Sequence, residues 1–282
     1  MTPSTAPSIA WIGTAAGAEL AWARRAVADV ATVHEFAGAD DVVAAPADGP
    51  WPAVALVGSD RGSRWGLPDL TAISRRWPLT PVVSVAASIV DGRRRSGPLL
   101  PATEEVPWSE VPARLAWWFA DRAAGRPGTL GLPATARREE RAVEAVAALR
   151  PTSRSAVRVS VAADRAVDLE GLADLITASG REVLRRTCGR PPLDEPADVL
   201  VWDTAALGPT HLAWLGMLAA NRPELAVIVV DSFPRPETAL AALEAGAAAV
   251  LGRPLAPESL AGSFVRLESA PATGLGGPPP SA

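Results

Sequence analysis

The 282-residue chain has no lysine and no tyrosine, a single cysteine, Cys188, and two histidines, His34 and His211. All 27 basic side chains are therefore arginine, which removes every reaction that needs a lysine amine. One thiol can make neither an intrachain disulfide nor a multi-cysteine metal site, which fits a reducing cytoplasm. Two histidines are too few for most histidine-based metal centres. No run reaches about 18 apolar residues, so no membrane span is expected. The opening MTPSTAPSIAWIG has no arginine ahead of an apolar stretch that is itself too short for a signal peptide. An excess of positive charge is missing as well, because 27 basic residues face 31 acidic ones, a net charge of −4. No global field is left to hold nucleic acid or an anionic membrane. These absences point to a cytoplasmic protein with neither as partner.

What is present suffices for folding. The chain is 48% hydrophobic and 21% charged, enough to bury a sizeable core, and its length suits about two domains. The ends, residues 1–8 and 269–282, are Pro, Gly, Ser and Ala without periodicity and are expected to be disordered tails. From Ile9 the first half reads strand, helix, strand, short helix, strand, helix, strand. The strands are Ile9 to Gly13, Val33 to Phe36, Ala53 to Gly58 and Pro81 to Ala86. The first helix, Gly17 to Val30, sets Leu20, Ala23, Val27 and Val30 near one face. The apolar runs do not alternate, as expected of parallel strands covered on both faces. Asp91 to Trp108 then breaks into a segment rich in Pro and Gly, read as irregular. A helix follows from Ser109, a plausible N-cap, to Ala124.

The first domain is thus 9–125, followed by a linker, 126–155, containing a helix, Thr135 to Arg150. That linker carries six Arg and three Glu, which suits a solvated helix face. The second domain, 156–268, repeats the scheme with five strands and four helices. Between its second and third strands Pro191, Pro192 and Pro196 crowd a connection shorter than the usual crossover of about 10–12 residues, so a loop is expected over Cys188 to Ala197 in place of a helix. The flank left bare is expected to be covered by the linker helix, burying Val143, Val146 and Leu149, or by the first domain.

PADVLVWDTA, followed by GPTHLAWLGMLAANRPELAVIVVDSFPRPETALAALEAGAAAVLGRPLAPESLAGSF, resembles a response-regulator receiver domain of the CheY-like superfamily. The helix, Ala-Gly turn, strand and basic-residue-Pro turn of ALEAGAAAVLGRPLAPESL carry the resemblance most specifically. It implies a five-stranded parallel sheet of order 2-1-3-4-5 with its site at the carboxyl ends of the strands. The first half is similar at fold level only. The fold expected is therefore α/β: two tandem flavodoxin-like, doubly wound sheets, each a three-layer α/β/α sandwich.

The family's site also implies roles. An acidic pair binding Mg²⁺ falls on Ala163 and Asp164, the phosphoacceptor on Asp203, the Thr or Ser on Asp231 and the lysine on Arg253. Only the acceptor is fully retained, so Mg²⁺ on Asp164 and Asp203 is doubtful. At 4 Å and an effective dielectric of about 20, two like charges repel by about 4 kcal/mol, which sets Asp231 against a phosphoryl group on Asp203. Arg253 can instead make a two-pronged bond to Asp203 or Asp231, a standing ion pair in place of a switch. A register slip of one would bring in Ser232.

In the first half the acceptor position falls on Gly58, and no acidic pair follows Trp11-Ile12-Gly13. The Gly13 to Gly17 turn lacks the spacing of a dinucleotide fingerprint or P-loop. Arg93, Arg94 and Arg95 form a possible anion loop. Trp108, Trp117 and Trp118 suit either an interface or packing of the helix on the sheet. Trp214 and Met217 read as core, and neither histidine lies near a serine elbow. The function expected is a non-enzymatic signalling protein with tandem receiver-like domains, acting through protein contacts independently of phosphorylation. Its partner would be another regulator or a histidine kinase. Two alternatives stand beside it: a working phosphoacceptor at Asp203 in a phosphorelay, and a nucleotide- or small-ligand-binding enzyme on the first domain.

Overall fold

A computed structural model describes residues 7–46, 49, 51–60, 65–91, 103–126, 128–132, 136, 138–148 and 157–269. Arg93, Arg94, Arg95 and Leu149 lie outside the described residues, as do both terminal tails but for Pro7, Ser8 and Ser269. The first strand already begins at Ser8. The chain divides into unit 1, Met1–Pro112 with Leu130–Ala136, and unit 2, Ala113–Thr129 with Arg137–Ala282.

Unit 1 contains β1 (Ser8–Ile12), α1 (Ala18–Ala28), β2 (Thr32–Phe36), α2 (Ala39–Ala44), β3 (Val54–Ser59), α3 (Leu67–Arg76), β4 (Val82–Ala86), α4 (Ser88–Asp91) and β5 (Glu104–Pro107). The sheet is parallel, in the order β2-β1-β3-β4-β5. β3 is buried along its whole length, the signature of a strand covered on both faces. Leu20, Ala23 and Val27 of α1 are buried at helical spacing, whereas Val30 lies beyond the helix and is exposed. β5 corrects the irregular reading of Asp91 to Trp108. Its four residues, EEVP, are few and charged, and the strand exists because β4 offers it an edge. Ser109 is not an N-cap but sits buried in a 3-10 turn, Trp108–Glu110.

A long helix, α5 (Val111–Ala123), belongs from Ala113 onward to unit 2, as does α6 (Arg138–Ala148). Unit 2 continues with β6 (Arg158–Ala163), α7 (Ala166–Ala178), β7 (Glu182–Cys188), β8 (Val199–Thr204), α8 (Pro209–Asn221), β9 (Ala226–Asp231), α9 (Pro236–Glu244), β10 (Ala247–Gly252) and α10 (Pro257–Ser269). Its parallel sheet has the order β7-β6-β8-β9-β10, the same 2-1-3-4-5 as unit 1. Both units are thus flavodoxin-like in topology. At the Ala-Gly turn between α9 and β10, Gly246 has φ +107°, and a Cβ there would sit 2.7 Å from that of Ala219. Only glycine meets both demands.

Residues 189–198 form the expected loop, with no helix between β7 and β8. The loop covers its own flank: Trp214 Nε1 donates to the Pro191 carbonyl at 2.9 Å, and Ser160 Oγ to the buried Glu195 at 2.5 Å. α6 does not bury the valines expected of it. Val143 is 70% and Val146 56% exposed, and the helix instead packs on α10 with Ala145 inward. Trp108, Trp117 and Trp118 are all buried, Trp117 beside Gly262 of α10. Met217 is exposed rather than core.

Candidate functional site

The carboxyl ends of the unit 2 strands collect its charged groups. Asp203 ends β8 but for Thr204, paired with Ala163 on one side and Val230 on the other. Asp231 ends β9 opposite Thr204 and Gly252. Ser232 therefore falls one residue past the strand, without a register slip. Arg253 follows β10 directly, and its backbone N–H donates to the Asp231 carbonyl at 3.0 Å. Asp164 follows β6, where its Oδ2 accepts the Ala205 N–H at 2.9 Å.

Arg253 Nη2 forms an ion pair with Asp203 Oδ2, and the same nitrogen lies 3.2 Å from Asp168 Oδ2. The sequence pattern did not single out Asp168. It sits in the first turn of α7, where Arg165 grips it with two bonds, Nε to Oδ2 at 2.7 Å and Nη2 to Oδ1 at 3.0 Å. Four residues thus form a ladder of alternating charge: Arg165, Asp168, Arg253, Asp203. Asp231 stands outside it, accepting backbone N–H groups of Phe233, Leu207 and Ser232.

The electrostatics follow from burial and pairing. Arg165 holds the Asp168 carboxyl down at about 2, with Arg253 assisting and burial opposing. Burial pushes Asp203 up despite Arg253, and the negative charges of Asp168 and Asp164 add to the rise. Burial also raises Asp231, against its backbone hydrogen bonds. At Arg253 burial works against the charge, but Asp203 and Asp168 outweigh it. Pairing wins at the arginine and loses at Asp203 because the arginine side chain is 26% exposed and that of Asp203 only 7%.

Among the described residues, the buried Asp203 Oδ1 and Thr204 Oγ1 meet no hydrogen-bond partner. A magnesium ion, implied by the family resemblance, does not fit the residues present. Ala163 offers no ligand, Asp164 Oδ2 serves a backbone N–H, and the Arg253 cation already occupies Asp203 Oδ2. Among the described residues no three His, Cys, Asp or Glu side chains are grouped to hold a metal.

The pairing registers place the two units position by position. Gly58 pairs with Val85 as Asp203 pairs with Val230, and Ala86 pairs with both Ser59 and Pro107 as Asp231 does with Thr204 and Gly252. Unit 1 therefore carries Gly58, Ala86 and Trp108 where unit 2 has Asp203, Asp231 and Arg253. This edge is closed with tryptophan. Trp65 Nε1 donates to the Gly58 carbonyl at 2.7 Å, and Trp108 donates to Ser88 Oγ at 3.2 Å while meeting Trp22 edge to face. Trp65 gives no signal in the sequence, because a single aromatic between glycines carries no periodicity. Cys188 is exposed and unpaired, His34 lies on β2, and His211 Nδ1 accepts the Gly208 N–H at the start of α8.

No family model matches the chain, and no curated protein does. Solved structures similar to it are CheY-like receiver domains and proteins containing them. A pilus assembly-related protein of Burkholderia pseudomallei is 31% identical, with 41% of this chain and 91% of that chain covered and a TM-score of 0.38. The pilus assembly protein CpaE of Burkholderia thailandensis is 32% identical over 40% of this chain and 99% of that chain, TM-score 0.38. A two-component system response regulator/GGDEF domain protein is 14% identical over 93% of this chain and 100% of that chain, TM-score 0.35. Among the described residues no helix is long and apolar enough to cross a membrane.

Proposed function

We propose that this chain, whose two units share the CheY-like strand order, is a non-enzymatic regulatory protein that acts through protein contacts and independently of phosphorylation. One observation carries the reading: Arg253 already holds Asp203, and holds it jointly with Asp168. A phosphoryl group on Asp203 would add up to two negative charges beside Asp164 and Asp168 and would have to take the guanidinium from two carboxylates. Without a metal to offset that charge, the modified state is disfavoured. Unit 1 supports the same conclusion, because it has no acidic group at any of the equivalent strand-end positions and its edge is sealed by indoles. The competing phosphoacceptor reading, with a histidine kinase as donor, has the unpartnered Asp203 Oδ1 in its favour, the atom left for modification.

The test is treatment of the protein with acetyl phosphate and Mg²⁺, read by intact mass, alongside a beryllofluoride titration. No stable adduct is expected on the unaltered chain. Combining Ala163→Asp, Asp231→Thr and Arg253→Lys rebuilds the metal and hydroxyl positions and is expected to restore labelling. Stoichiometric modification of Asp203 without these changes would replace this reading with the phosphoacceptor.

A further inference from the structure

Regulation of the same site rests on which group keeps Arg253 in place, given the reading above that the pair is permanent. We infer that Asp168 is the residue that positions Arg253 over Asp203, so that the first turn of α7 is tied to the end of β10 and the acceptor position stays closed. Asp203 by itself is a poor anchor. Burial disfavours its ionised form, it spends one oxygen on the arginine, and its other oxygen has no partner. A carboxylate that burial pushes toward its neutral form holds a long, partly exposed arginine weakly, and a second, ionised carboxylate on the same nitrogen strengthens the hold.

Asp168 has the opposite character. Its side chain is 19% exposed, Arg165 fixes both its oxygens, and it lies at a helix N-terminus, where the dipole favours a carboxylate. It stays ionised down to about pH 2. Asp168 thus acts on Asp203 in two opposing ways. Its charge repels that of Asp203, and its grip delivers a neutralising cation. Among the described residues the charged groups around Asp203 are Arg253, Asp168 and Asp164, with Arg165 behind Asp168.

The two roles predict opposite signs, which makes the inference testable on the full chain. In the unaltered protein, nitrogen-15 NMR of the Arg253 guanidinium is expected to show slow exchange between its two Nη groups, the signature of a guanidinium held at Nη2. In Asp168→Asn that exchange speeds up by about tenfold, and the Asp203 carboxyl, followed by carbon-13 shift against pH, titrates higher than before. Asp168→Glu, which keeps the charge at nearly the same place, restores both. If Asp168 contributes charge alone, Asp168→Asn leaves Arg253 held and moves the Asp203 titration down, and the inference is overturned. Free rotation of Arg253 in the unaltered protein would instead remove the standing pair on which the proposed function depends.

Discussion

At the residue scale the decisive quantity is the balance between burial and pairing at three aspartates. Burial raises the pKa of Asp203 and of Asp231 in the folded chain, so the native state binds protons more readily there than the unfolded chain does. The sign follows by linkage: these two groups destabilise the fold at neutral pH, and stability rises as pH falls through their folded values toward the unfolded value of about 3.9. Asp168 works the other way. Its contribution is intact above about pH 3.9 and is lost as pH falls toward 2. Resistance to urea is therefore expected to rise as pH falls from 7 through the raised folded-state values of Asp203 and Asp231, and to fall again as Asp168 takes up its proton toward pH 2. Asp231→Asn is expected to raise the midpoint at pH 7 and flatten the acid-side gain. A midpoint that falls steadily from pH 7 downward in both proteins would contradict this. The positions of Asp203, Asp231 and Arg253 could be read from strand ends in the sequence. The partner that completes the ladder could not, because Asp168 faces the site only through the turn that starts α7.

At the scale of elements, the contact between α5 and α10 is the least expected feature. Seven consecutive residues of α10, Glu258 to Phe264, are buried, which a helix lying on one face of a sheet does not achieve. α5 lies against this helix, which α6 also contacts. Arg114 pairs with Glu258 at 3.0 Å, both almost wholly buried, and the Arg114 guanidinium lies 5.3 Å from the Trp118 ring centroid. A Cβ on Gly262 would fall 1.9 Å from the Ala113 carbonyl oxygen and 3.1 Å from Trp117 Cβ. The obstacle is backbone, so it cannot swing aside. Gly262→Ala is expected to destabilise unit 2 by about 2 kcal/mol, within the range for overpacked cores. Gly216→Ala on α8, where nothing lies within 4 Å, is expected to stabilise by about 0.5 kcal/mol through the unfolded chain. Denaturant titrations showing the same sign for both would refute the close crossing. The sequence marks both helices by periodicity but not their mutual approach, since a glycine in SLAGSF reads equally as a weak helix position.

For the whole molecule, that contact changes what counts as a folding unit. The receiver resemblance begins at residue 156, yet α10 is covered by residues that precede it in the chain. A fragment of residues 156–282 leaves Glu258 and the small residues around Gly262 without the Arg114, Ala113 and Trp117 neighbours that α5 supplies. It is expected to unfold with poor cooperativity and to bind a hydrophobic dye. A fragment of residues 113–282 is expected to unfold in one sharp transition as a monomer. Equal cooperativity of the two, by circular dichroism and sedimentation, would mean that α5 adds nothing to unit 2.

The sequence alone determined the parallel α/β class, the repeat of the strand and helix order, the missing helix after β7 and the strand ends on which Asp203, Asp231 and Arg253 lie. These are local matters: apolar runs without alternation, prolines that forbid a helix, and a side chain's place at the end of a run. Tertiary structure decided the fifth strand of unit 1, whose four residues pair only because β4 leaves an edge open. It decided the choice of Asp168 over Asp231 as the second carboxylate on Arg253, and the exposure of Val143 and Val146. It also decided that Trp65 closes the edge in unit 1 that charge occupies in unit 2. Each of these depends on which groups meet across long sequence separations, and a periodic pattern states which face is apolar without stating what that face will find.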